Sequence, residues 1–174
     1  MVQEEFRRHV ERIGKFLKAV DNHRAAMYEW SRDEGVREKW IQENVPLRHR
    51  EFVRGLLEKL AGHPELPRGY GWLDKAIIYH DTGNYGRDYL VSVEESVKRW
   101  QDVVSIVSKI AEVSKDPNVR SVAEDLEKKL SEARASIEYL KKHSEMIDAY
   151  MSEIRERAEK MRRARESIKD IPEL

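Results

Sequence analysis

Residues 116–170 read DPNVRSVAEDLEKKLSEARASIEYLKKHSEMIDAYMSEIRERAEKMRRARESIKD, and the spacing of their apolar side chains decides the fold class. Val119, Ala123, Leu126, Leu130, Ala133, Ile137 and Leu140 recur at alternating steps of four and three. Beyond Ser144 the same count runs on through Ile147, Met151, Ile154, Ala158 and Met161, until Arg165 breaks it. A repeat of seven kept over roughly six heptads is the period of a helix packed lengthwise on partners. Asp116 and Pro117 supply the favoured N-cap and first helical residue. The stretch therefore predicts one helix from Asp116 to Asp170, extending roughly 75 Å at the usual rise per residue.

The segment before it, residues 88–113, carries two seams. Leu90, Val93, Val97, Trp100, Val104, Val107 and Ala111 make one, and Val103, Ile106, Ile110 and Val113 lie beside it. A helix with two apolar seams has neighbours on two sides and is expected at the centre of a bundle. Only Ser114 and Lys115 separate it from the final helix, so residues 88–170 predict an antiparallel helical hairpin. Its first arm covers only about 40 Å of the second. The remainder needs either the N-terminal helices or a second copy.

Residues 3–61 predict N-terminal helices with breaks near 31–35 and 44–46. Phe6, Val10, Ile13, Leu17 and Val20 form a seam that Phe16, His23, Met27 and Trp30 widen. Gly14 sits within it at a cost on the order of 1 kcal/mol relative to alanine. Ser31 and Glu34 have the spacing of a capping box, and Pro46 forces a kink or a new start. Leu47, Phe52, Val53, Leu56, Leu57 and Leu60 form the next stripe, which Gly62 and Pro64 end. Residues 62–87 hold five of the eight glycines, with Trp72 to Tyr79 read as a short helix because no strand partner exists elsewhere. The expectation is one all-α domain over residues 1–174. It is an elongated antiparallel helical bundle with a long coiled-coil-like C-terminal helix and one glycine- and aromatic-rich loop.

Composition narrows the chemistry. Thirty-three Lys and Arg balance 33 Asp and Glu, which removes any global electrostatic case for nucleic acid or an anionic membrane. The absence of cysteine excludes disulfides, thiolate catalysis and cysteine-ligated metals. No run approaches 18 apolar residues and Met-Val-Gln-Glu-Glu has no basic leader, so a cytoplasmic protein without membrane contact is expected. A 38% share of charged residues with a single threonine, Thr82, matches the composition of thermophile proteins.

Local motifs are sparse. No Glu-x-x-His pair or histidine pair four apart occurs, and Gly69-Tyr70-Gly71 lacks the third glycine of a dinucleotide loop. No metal, cofactor or catalytic residue is expected. The adjacent His80 and Asp81 point apart on a helix, with no nucleophile nearby. Arg68, Tyr70, Trp72, Tyr79, His80, Tyr85 and Arg87 combine flat faces and hydrogen-bonding tips. They suit a ligand or partner, or else plug the open end of the bundle. Arg48, Arg50 and Arg54 follow Pro46, where a helix dipole disfavours cations and an anion contact is therefore a candidate. Arg155, Arg157, Lys160, Arg162, Arg163 and Arg165, with Lys169, form a second basic cluster, seven cations against three glutamates. Ile147, Met151, Ile154, Ala158 and Met161 are the candidate oligomer seam. The leading expectation is a helical interaction or assembly protein that self-associates or binds another helical protein. The alternatives are a nucleic-acid-associated bundle using the basic cluster and aromatic loop, and a small-ligand binder or enzyme with its site in residues 62–89.

Overall fold

The computed structural model describes residues 2–69 and 71–169, without the side chains of residues 2, 144, 146, 147 and 169. All described elements are helical: α1 Val2–Ser31, α2 Glu34–Asn44, α3 Arg50–Ala61, α4 Trp72–Asp81, α5 Arg87–Val113, α6 Pro117–Lys142 and α7 Ser144–Lys169. One 3-10 turn, Leu47–His49, leads into α3.

The pairings along the helices give the topology. Ser108 with Glu127 and Lys141 with Glu94 set α5 and α6 antiparallel, as the two-residue connection predicts. His23 with Asp125 and His9 with Ser136 set α1 antiparallel to α6. On the other side Arg24 with Asp74, and the His80 ring against Gly14, set α4 antiparallel to α1. Trp72 near Arg99 and His80 on Tyr89 do the same for α4 and α5. Three columns are thus single long helices. The fourth is shared: α4 occupies it at one end, and α3 packs on α1 and α5 at the other. The core runs through all four, from Phe6 and Tyr89 at one end to Ile41, Leu57 and Ile110 at the other. The expected central position of α5 is thus shared with α1.

The breaks have local causes. Between α1 and α2 the N-cap is Asp33, whose carboxylate accepts from Val36 N, rather than Ser31, whose hydroxyl is buried. Asn44 and Val45 close α2 before Pro46, and Lys115 N reaches Asn44 O at 2.9 Å to tie this corner to the α5–α6 turn. At the start of α6, Asp116 caps Asn118 N at 2.9 Å, with Pro117 behind it.

The single helix expected over 116–170 is divided. His143 stands at φ −115°, ψ 42°, its Nδ1 2.8 Å from Tyr139 O, and α7 begins at the next residue. Beyond this point α7 leaves the line of α6 and crosses α1 near its start, still antiparallel to it. Tyr150 packs on Phe6 with ring centroids 4.4 Å apart, and Glu153 meets Gln3. Had α6 run straight on, residues 150 and 153 would lie beyond the start of α1. The expected helix end at Asp170 falls outside the described residues.

Candidate functional site

The glycine- and aromatic-rich segment is a joint between columns. Arg24, 1% exposed, makes two hydrogen bonds to the Asp74 carboxylate at 2.8 and 2.9 Å, and its Nε and Nη2 donate to Asp21. Breaking a buried ion pair from one side typically costs about 3–5 kcal/mol, so this contact fixes α4 to α1. Burial opposes ionisation of Asp74, but the Arg24 hydrogen bonds hold its carboxyl below the ordinary value. Glu65, 2% exposed, turns its carboxylate onto Trp72 N and Leu73 N, the free donors at the start of α4. A Cβ at Gly71 would stand 2.6 Å from Glu65 Oε2, so glycine is needed for this close approach.

The predicted aromatic residues divide between this joint and the far end of α4. Arg68 reaches Asp21 at 3.4 Å, and Trp72 lies under Lys75 and Arg99. Tyr79 packs partly buried on the core, and Arg87 is exposed. Tyr70 lies outside the described residues. His80 Nδ1 and the Tyr89 hydroxyl are 2.9 Å apart, and Tyr85 meets both rings and Phe6. Burial lowers the His80 pKa, against a smaller opposing effect of Asp81, and pushes the Tyr89 phenol far up. These rings form one cluster with Tyr150 at the end of the bundle that α7 crosses.

The first basic cluster is engaged within the chain. Arg50 turns back to α2, donating to Val45 O and Gln42 O at 3.0 and 3.2 Å and to the Gln42 amide oxygen at 3.0 Å. Its charge thus stands at the negative end of α2, where the dipole favours it. Arg54 pairs with Glu38 of α2, and Arg48 donates to His49. On α7, Arg157 pairs with Glu153, Arg162 with Glu159 and Glu166, and Arg163 with Glu159. Arg155, Lys160 and Arg165 are exposed. Of the expected seam, Met151 and Ile154 are half-buried, and Ala158 is exposed with Met161 at 60%. The Ile147 side chain lies outside the described residues.

A pocket that sequence reasoning did not single out opens at the opposite end. It holds about 230 Å³. Leu60, Val107, Ile110 and Met27 form its floor, all buried, while Ala26 and Asn118 stand exposed at its mouth. Trp30 and Trp40 form one wall, meeting edge to face at 5.1 Å. Polar groups gather on one side: Trp40 Nε1 donates to Asp116 at 2.8 Å, and His23 lies 2.7 Å from Asp125. The signal in the sequence is a tryptophan on each side of the break after Ser31, Trp30 and Trp40.

Among the described residues no group of three or more His, Asp or Glu is arranged to hold a metal ion. No described helix is long and apolar enough to cross a membrane. The architecture is that of an all-α helical bundle. No protein-family model matches the chain, and no curated protein or solved structure matches it either.

Proposed function

We propose that the chain is a helical interaction protein, in which the bundle presents the outer half of α7 for coiled-coil-like pairing with a helix of another protein. The carrying observation is an apolar stripe left exposed on the outer half of α7: Ala158, Met161 at 60% exposure and Ile168 at 67%. Ala158 and Met161 keep the seven-residue count of α6 despite the break at His143, and Ile168 falls in the same register beyond Arg165, which interrupts the stripe.

The flanks of the stripe favour a foreign partner over a second copy. Arg155, Arg162 and Lys169 each follow an apolar position directly, and Arg157 precedes Ala158. Glu156, Glu159 and Glu166 fall on the outer side of the helix. Two copies pairing through this face would set cations beside cations in either direction, whereas a helix with acidic flanks would meet them with opposite charge.

The test uses a designed amphipathic peptide with an apolar seam and glutamate at the flanking positions, with a lysine-flanked peptide as control. The full chain is expected to stay monomeric by light scattering and to bind the acidic peptide, while a chain ended after Ile154 does not. A constitutive dimer held by α7, or no binding by a folded full-length chain, overturns the reading. Salt-sensitive retention of DNA or RNA by α7, without peptide binding, overturns it in favour of a nucleic-acid role.

A further inference from the structure

We infer that the pocket between α1, α2, α3, α5 and α6 is a binding site for a flat, apolar amine of one or two fused rings. Its size sets the first limit. An apolar cavity of about 150 Å³ holds benzene, so about 230 Å³ accommodates a bicyclic ring system. The floor of Leu60, Val107 and Ile110 offers only apolar contact, and the edge-to-face Trp30–Trp40 corner presents ring surface to a flat ligand.

The polar side sets the charge. Asp116 lines the pocket and receives Trp40 Nε1 on one carboxylate oxygen and Asn118 N on the other. Each oxygen keeps a further lone pair that a ligand donor can reach. Asp125 is hydrogen-bonded to His23, which lines the pocket, and among the described residues no lysine or arginine lines it. The Asp116 carboxylate and two indole rings around an apolar space favour a cation and repel an anion. The ring therefore seats against Ile110 and Leu60, and the ammonium stands near Asp116 at the mouth.

Three probes on the full chain separate the terms: tryptamine, indole and indole-3-acetate share the ring and differ in charge. By calorimetry, tryptamine is expected to bind roughly tenfold tighter than indole, with indole-3-acetate weakest. Asp116→Asn removes the charge while its one amide oxygen keeps the N-cap on Asn118 N, at the loss of the Trp40 hydrogen bond, and it is expected to level tryptamine with indole. Ala26→Phe, at an exposed position of the mouth, is expected to abolish binding of all three. Equal binding of the acid and the amine overturns the inference, as does failure of all three to bind the folded chain. So does undiminished binding by Ala26→Phe.

Discussion

Gly14 and His80 show how a single position in one column depends on another. A Cβ on Gly14 would stand 2.5 Å from His80 Nε2, and the ring is held in place by the Tyr89 hydroxyl. Gly14→Ala is therefore expected to destabilise the protein by about 1–3 kcal/mol, although alanine is the better helix former. In a His80→Ala background the sign reverses, and Gly14→Ala stabilises by about 1 kcal/mol. Urea denaturation of the four proteins checks the cycle, and a stabilised single Gly14→Ala variant would place the ring elsewhere. In the sequence, Gly14 showed only its intrinsic cost, because its contact partner lies on a different helix. Arg24 left a fainter mark. It falls on the apolar face between Val20 and Met27, a place where a charge survives only if it is paired. Glu65 left none, since a carboxylate in a loop gives no periodic signal.

At the scale of the element, helix boundaries were readable where proline or glycine set them, whereas the cap of α2 fell on Asp33 and not on Ser31. Pro117 opens α6, Gly62 follows α3, and α4 lies where the aromatic run predicted two turns. The break at His143 was not readable, because the apolar count passes through it without losing register. What bends the chain there is tertiary: Tyr150 finds Phe6, and His143 stacks on Tyr139, which stacks on His9. The two halves of α7 should accordingly contribute unequally to stability. Ending the chain after Ile154 is expected to shift unfolding by no more than about 0.5 kcal/mol, since the side chains removed are largely exposed. Tyr150→Ala is expected to cost about 2 kcal/mol through the lost ring contact and burial. Thermal denaturation distinguishes the two. A large loss on truncation would mean that the outer half is packed within the chain.

Across the whole molecule, the double seam of α5 and the short α5–α6 connection fixed half of the bundle in advance. How α3 and α4 divide the fourth column, and the pocket beside α3, depend on contacts between distant residues and left no local pattern. Burial is also shared widely enough to make stability depend on pH. His9, His63 and His80 all have pKa values lowered from 6.5, in each case chiefly by burial. Their unfolded forms take up protons first as pH falls. The stability they contribute is therefore complete above about pH 6.5 and declines as pH drops through the lower folded values. Asp74, held below its ordinary 3.8, adds a separate loss in more acidic solution. The Tm is expected to fall between pH 7 and pH 5, and His80→Gln should reduce that slope. A Tm unchanged over this interval would show that the histidines are not held neutral by the fold. The antiparallel seating of α1 on α6 orders events in time as well as in space. Translation at about 5–20 residues per second leaves α1 complete for on the order of 5–20 s before α6 begins to emerge. Its Phe6 to Val20 seam must wait on the ribosome for α6, with only the helices made in between to cover it, so the bundle cannot close until its sixth helix has emerged.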